Sequence, residues 1–214
     1  MIEYIVPENI DDRVLTKTAN LLQNGGISAI PTDSSWSVVC SMNSREGIKR
    51  LKAISKEKDE RLFTLLCSDI SQFGEFCSLD NTRFRLIKRL SPGPYVFILK
   101  TLLGTEKTLG LRRQEIGIRL PDYPVPLALI NTLGCPLYGI TAKRNMLPDG
   151  LEQDLADLWS EETLFEGGWE LEDINGIDVI LDPGEDRNRI FSTVLDLSSG
   201  EVQLVRQGAG SWPV

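Results

Sequence analysis

The stretch "GGISAIPTDSSWSVVC", residues 25–40, is where the fold of this chain first declares itself. Residues 27–30 are an apolar run closed by Pro31, which predicts a short buried strand. "TDSSW" is a polar turn, and "WSVVC" reads as a second strand. Upstream, Val14, Leu15, Ala19 and Leu22 fall at helical spacing, and Asn24-Gly25-Gly26 supplies the stop. Downstream, Asn43 or Ser44 caps a helix with Ile48, Leu51 and Ile54 inside and Arg45, Lys49, Arg50 and Lys52 outside.

Further along, "LFTLLC" is apolar on both faces and is expected at the centre of a sheet. "SDISQFGEFC" and "DNTRFRLIKRL" read as helices, the second with Phe84, Ile87 and Leu90 inward. "SPGPYVFILK" is a rigid turn and a strand, and "EIGIRLPD" a strand ended by Pro121. "PVPLALINTLG" is a helix with proline at its start and glycine past its end, and "CPLYGIT" follows as a strand. "TLLGTEKTLGLRRQ" has no decisive pattern. Residues 151–166 read as an acidic amphipathic helix with Leu151, Leu155, Leu158 and Trp159 inward. "DVILD", "STVLDL" and "VQLVRQG" are short strands, expected in antiparallel hairpins. The expectation is one α/β domain over residues 1–214, with a twisted mixed parallel and antiparallel sheet. The acidic portion, residues 147–214, packs on that sheet.

The 214 residues carry a net charge of −8 and contain no histidine. Ser-His-Asp and Cys-His catalysis and histidine-based metal sites are therefore excluded. The charge is unevenly spread: residues 1–146 hold 20 Lys+Arg against 15 Asp+Glu, and residues 147–214 hold 3 against 16. That split suggests a polyanion-facing portion and a solvating one. Cys40, Cys67, Cys77 and Cys135 lie in apolar runs without a C-x-x-C, and read as buried free thiols of a cytoplasmic protein. Neither a signal peptide nor a membrane span is expected, since no apolar run approaches about 18 residues.

The common phosphate-binding fingerprints, G-x-x-x-x-G-K-[ST] and G-x-G-x-x-G, are missing. Polar residues follow apolar strands instead: Thr32, Asp33, Ser34 and Ser35 after one, and Thr141, Lys143, Arg144 and Asn145 after another. Strand ends are where α/β sheets place ligands. Arg119, between Ile118 and Leu120, is an arginine in an apolar strand and demands an anionic partner. That partner is a ligand phosphate or carboxylate, or an internal aspartate.

Pro31-Thr32-Asp33, Ser91-Pro92-Gly93-Pro94, Ile118-Arg119-Leu120-Pro121 and Ser192-Thr193-Val194, in this order, resemble the YrdC/YciO family of threonylcarbamoyl-AMP synthase-like proteins. The resemblance covers roughly residues 10–208, and "FTLLCSDISQF" and "DNTRFRLIKRLSPGPYVFILK" look closest to its YciO branch. It implies a twisted sheet curled around a concave basic groove. It also implies that ATP, held with Mg²⁺, L-threonine and bicarbonate are joined into threonylcarbamoyl-AMP with release of pyrophosphate. The product feeds threonylcarbamoyladenosine modification of tRNA. This chemistry suits a chain without histidine, because the nucleophile is already an anion and the demand is for cations around phosphate.

The resemblance places Thr32, Ser34 and Arg119 at the threonine, and Arg61, Thr141, Lys143, Ser192 and Arg206 at the nucleotide. The chain departs from the family at two motifs. The synthases' Lys-x-Arg reads Ser55-Lys56-Glu57, or Lys56-Glu57-Lys58 with a one-residue slip, and their Ser-x-Asn reads Thr141-Ala142-Lys143. These departures imply a weakened activity or an altered substrate. The alternative is a non-catalytic protein that binds double-stranded RNA or tRNA through the concave surface, using Arg45, Lys49, Lys52, Lys56 and Lys58. A third reading makes residues 151–166 a docking face for a partner protein.

Overall fold

The computed structural model describes residues 1–57, 59–148 and 160–212, with Arg61 described through its backbone alone. Lys58, the Arg61 side chain and most of the helix expected over residues 151–166 lie outside the described residues; the last part of that stretch holds a single 3₁₀ turn, Glu161–Thr163.

Ten strands form one mixed sheet. In chain order they are β1 (Ile2–Tyr4), β2 (Ser28–Ile30), β3 (Ser37–Ser41), β4 (Thr64–Leu66), β5 (Tyr95–Lys100), β6 (Glu115–Arg119), β7 (Leu137–Thr141), β8 (Val179–Asp182), β9 (Thr193–Asp196) and β10 (Gln203–Arg206). Their spatial order is β1-β8-β2-β3-β7-β4-β6-β5-β9-β10. Thus β4 is central, as its two apolar faces require. The expectation of hairpins at the end of the chain holds for β9 and β10 alone. By contrast, β8 runs parallel to both β1 and β2. Its four residues are all buried, the pattern of a strand covered on both faces rather than of a half-solvated hairpin. β1 carries too few residues to show an alternation and has no counterpart in the sequence reading.

Six α-helices flank the sheet among the described residues: α1 (Asp12–Gln23), α2 (Arg45–Ser55), α3 (Ser71–Phe76), α4 (Asn81–Leu90), α5 (Leu103–Leu109) and α6 (Pro124–Leu133). Local chemistry sets their ends. The Asp11 carboxylate accepts the Arg13 N–H at the start of α1. Ser44, not Asn43, caps α2 by accepting the Gly47 N–H at 3.1 Å. Gly134, at φ 76°, closes α6 in a left-handed turn that only glycine adopts freely. In α4, Ile87 is buried and Leu86 and Leu90 pack on the core, while Phe84 stays outside that cluster.

Strand alternation divides the interior into two layers. Val38, Cys40, Leu65, Phe97, Ile118 and Tyr138 face helices α2 to α5, with Ile48, Leu51, Phe73, Ile87 and Leu109 as the helical partners. Ile30, Val39, Leu66 and Leu137 point the other way, toward Leu15, Leu22, Leu129 and Leu133 of α1 and α6. These two helices cover the second face over one half of the sheet. Over the other half, along β4, β6, β5, β9 and β10, that face opens into a cavity. Cys40, Cys67 and Cys77 are buried and Cys135 half-buried, all as free thiols. Burial pushes the Cys40 and Cys77 thiols up to about 12, so they stay protonated.

Candidate functional site

The cavity has a volume of about 440 Å³, within the range of ligand sites. Its floor is made by the strand positions that alternate away from α2. Ser37, Thr64, Leu66, Val96, Ile98, Glu115, Arg119 and Thr141 all lie on it. Gly139 keeps the floor low: a Cβ there would stand 2.7 Å from Val39 Cγ1.

Arg119 ends β6 with 4% of its surface exposed. Its Nη2 donates to Asp33 Oδ1 at 2.5 Å, and its Nη1 donates to Ser192 Oγ at 2.7 Å and Ser34 Oγ at 3.1 Å. Nε donates to the Gly93 carbonyl at 3.3 Å, in the turn that holds the cis Ser91–Pro92 peptide. The internal aspartate named as one possible partner is therefore Asp33. Burial pushes the guanidinium's pKa down, and Asp33 pulls it back up. The second Asp33 oxygen, Oδ2, is buried without a hydrogen-bond partner. Ser34 and Ser192 also meet each other, Oγ to Oγ at 3.1 Å. Thr32 does not line the cavity; its hydroxyl donates to the Ser35 carbonyl at 2.6 Å and accepts the Ser34 N–H, which fixes the turn that presents Asp33 and Ser34.

Arg206 reaches the same corner from β10. Its Nε and Nη2 donate to the Ser192 carbonyl at 3.1 and 2.9 Å, and its guanidinium lies 4.7 Å over the Phe191 ring. Burial first, and then the like charge of Arg119, lower its pKa to about 10. Lys143 lies beyond Thr141, with 2% of its surface exposed. Its Nζ donates to Glu57 Oε1 at 2.8 Å, and Asn145 Nδ2 meets the same oxygen at 3.4 Å. Asn145 Oδ1 is buried without a partner.

The structure brings Arg119, Thr141, Lys143, Ser192 and Arg206 to one cavity, with Ser34 bonded to two of them. It does not bring α2 there. Ile48 and Leu51 hold that helix against the opposite face of the sheet, so Arg45 and Lys49 point to solvent away from the cavity. Lys52 faces Glu60 at 3.6 Å, and Lys56 Nζ donates to the Leu147 carbonyl at 2.9 Å. None of these four lines the cavity. Sequence reasoning missed Asp59, Glu115 and Asp196, which line the cavity, and left unread that Asp33 and Glu57 bond its cations. Asp33 was legible as the acid of a polar turn facing an unpaired arginine. Glu115 and Asp196 gave no signal, since an acid at a strand end normally faces water.

Among the described residues no helix is long and apolar enough to cross a membrane, and no three cysteines or carboxylates gather to hold a metal ion.

The family model described as Telomere recombination, Sua5/YciO/YrdC, matches residues 20–154. YciO of Escherichia coli is 31% identical over 208 residues, covering 97% of this chain and 95% of that protein. The threonylcarbamoyl-AMP synthase of Mus musculus is 24% identical over 189 residues, covering 87% of this chain and 64% of that protein. The crystal structure of E. coli YciO superimposes with a TM-score of 0.83 at 30% identity, covering 99% of this chain and 97% of that one. The Sua5 of P. abyssi, crystallised with L-threonine, shares the fold at a TM-score of 0.80 and 20% identity, covering 97% of this chain and 57% of that one. With a family model spanning more than half of its length and a relative of nearly the same extent, this chain belongs to the Sua5/YciO/YrdC family.

Proposed function

We propose that the cavity carries out nucleotidyl transfer of the threonylcarbamoyl-AMP synthase type. Its reactants are ATP, L-threonine and bicarbonate; its products are threonylcarbamoyl-AMP and pyrophosphate, the first serving tRNA modification. The observation that carries the reading is the convergence of Arg119 and Arg206 on Ser192, Arg119 donating to its hydroxyl and Arg206 to its carbonyl, so that two like charges repel on one cavity wall. A ligand anion between them relieves that repulsion. Two hydroxyls, Ser34 and Ser192, take Arg119 donors that a carboxylate would accept more strongly. The threonine complex of Sua5 and the activity of the mouse synthase support the choice of reactants.

In this reaction the threonine nitrogen and bicarbonate form a carbamate with loss of water. A carbamate oxygen attacks the α-phosphorus, and pyrophosphate leaves with the electron pair of the broken P–O bond. The nucleophile is an anion, so no histidine is needed. Arg119, held by Asp33, orients the amino-acid carboxylate, and Arg206 offsets charge on the phosphate. No carboxylate cluster among the described residues fits a resident metal. Mg²⁺ enters as the counterion of the triphosphate, and no step is assigned to it. Arg45 and Lys49, the first two residues offered for RNA, do not line this cavity.

The test is threonine-dependent pyrophosphate release from ATP and bicarbonate, with Arg119→Lys beside the native chain. Release that requires all three reactants and falls at least about tenfold in the variant supports the reading. Folded protein at high concentration that releases none refutes it.

A further inference from the structure

We infer that Arg187, which lies outside the cavity lining, is a positioning residue for the Arg119 corner and ties together the three chain segments that build it. This rests on the reading above, in which Arg119 orients the amino-acid carboxylate.

The corner is assembled from three separate stretches of chain. Residues 31–35 supply Asp33 and Ser34, β6 ends at Arg119 and leads on to Tyr123, and Phe191 leads into Ser192. Arg187 engages all three. Its Nη2 donates to the Thr32 carbonyl at 2.9 Å, the peptide group that carries the Asp33 nitrogen. Its Nη1 donates to the Tyr123 hydroxyl at 3.2 Å, and the guanidinium lies 4.4 Å over that ring. Tyr123 stands four residues after Arg119, and Arg187 itself stands five residues before Ser192. The backbone of Arg187 is anchored as well. Its N–H donates to the Glu166 carbonyl at 2.9 Å, and the same carbonyl accepts the indole N–H of the fully buried Trp36 at 2.9 Å.

A cationic donor holds a carbonyl more firmly than a neutral one does. Arg187 fixes the Thr32 carbonyl from outside the turn, while the Thr32 hydroxyl binds Ser34 and Ser35 within it. Asp33 is thereby set in one place opposite Arg119. Glu185 and Asp186 are exposed beside Arg187, yet its guanidinium lies on neutral acceptors and its Nε is buried with no partner. A buried orphan donor is destabilising, which locates the role of this side chain in what it ties. A misplacement of about 1 Å near reacting groups can lower a rate about 100-fold, so a tie one residue from Asp33 bears on the reaction without touching a reactant.

Two readouts on the full chain test this. The first is threonine-dependent pyrophosphate release. Arg187→Met should raise the KM for threonine by about tenfold and leave the KM for ATP within about twofold. Arg187→Lys keeps a cationic donor for the Thr32 carbonyl and should return the threonine KM to within about threefold of the native value. Arg189→Met removes a neighbouring cation that pairs with Glu166, and should move neither KM by more than about twofold. The second readout needs no reactant. It is solvent exchange of the Arg119 Nε proton, which donates to the Gly93 carbonyl, followed by NMR. Arg187→Met should speed this exchange by about tenfold or more while the backbone amides of β4 stay unchanged. If Arg187→Met does not fold, Tyr123→Phe removes the Nη1 acceptor alone and should move both readouts by about threefold. An exchange rate or a threonine KM unmoved in the folded variants, or KM values for ATP and threonine that rise together, overturns the inference and leaves the nucleotidyl-transfer reading standing. A native chain that releases no pyrophosphate refutes that reading, and the exchange rate then decides the tie by itself: faster supports it, unmoved overturns it.

Discussion

Arg119 and Lys143 sit on the same cavity, and each meets a carboxylate, Asp33 at 2.5 Å and Glu57 at 2.8 Å. They differ in what surrounds the pair. The planar guanidinium shares its donors among a carboxylate, two hydroxyls and a carbonyl, and the facing aspartate keeps one oxygen without a partner. Neutral hydroxyls are weak acceptors for a cation, so this corner is held in shape but not saturated. The ammonium of Lys143 is a point charge, and its contact with Glu57 is close and buried. Two pairs of equal formal charge thus differ in build: the guanidinium spreads its donors over a carboxylate, two hydroxyls and a carbonyl, and the ammonium meets its carboxylate as a point charge.

The largest way to break this comparison is Arg119→Ala. It strands Asp33 inside the protein and takes the donor from two buried hydroxyls, and should lower stability by about 3–5 kcal/mol in chemical denaturation. A loss under about 1 kcal/mol would mean that the corner is not organised by the guanidinium. Lys143→Met should cost somewhat less, about 3 kcal/mol, because Asn145 still meets Glu57. The double replacement Glu57→Leu with Lys143→Met should recover most of that loss, to within about 2 kcal/mol of the native chain, because both charges go and only the long Asn145 contact to Glu57 is given up. The matching replacement Asp33→Leu with Arg119→Met should recover less, since the Gly93 carbonyl loses its Arg119 donor and Ser34 and Ser192 keep only each other. Equal recovery at the two corners would erase the distinction between them.

The two corners were not equally legible in the sequence. Arg119 announced itself as a cation between Ile118 and Leu120, and the turn that answers it, Thr32 to Ser34, sits in the opening motif. Period-two alternation of β6 then carries the arginine to the uncovered half of the sheet. The Lys143–Glu57 pair joins residues 86 positions apart through two loops. No local pattern encodes such a contact; the pair was visible only as two departures from a family motif, with their mutual proximity unread. The side of the sheet that α2 covers was not legible for a related reason. Its hydrophobic stripe says that Ile48 and Leu51 are inside, but the stripe is blind to which face of the sheet they meet. Likewise β8 looks in sequence like any short apolar strand, and its parallel place between β1 and β2 is a property of the whole sheet.

A further prediction concerns the pH dependence of the Arg119–Arg206 corner. Arg206 titrates at about 10 in the free protein because burial and Arg119 disfavour its charge. It is therefore cationic below that pH and loses its charge as pH rises through it. An anion bound beside it holds the proton more tightly, so affinity for AMP should fall above pH 10, by up to about tenfold per unit. Arg206→Gln should flatten that profile. Constant affinity up to pH 11, about one unit above the transition, in protein shown to be folded would place the phosphate elsewhere.

The smallest effect is expected at α2, and its smallness is informative. Arg45 and Lys49 are exposed on a helix that packs against the far face of the sheet. A ligand in the cavity is separated from them by the sheet and the core beneath α2, a distance comparable with the screening length of about 10 Å at 0.1 M salt. Arg45→Ala and Lys49→Ala together should change stability by less than about 0.5 kcal/mol, as surface substitutions do. AMP affinity at 0.1 M salt should stay within about twofold of the native value. Lowering the salt to about 0.01 M extends the screening length to about 30 Å, and a modest loss of affinity should then emerge in the variant. A large loss at the higher salt would mean that these cations touch the ligand, and that the division of the molecule into a helix-covered face and a cavity face misassigns its charges.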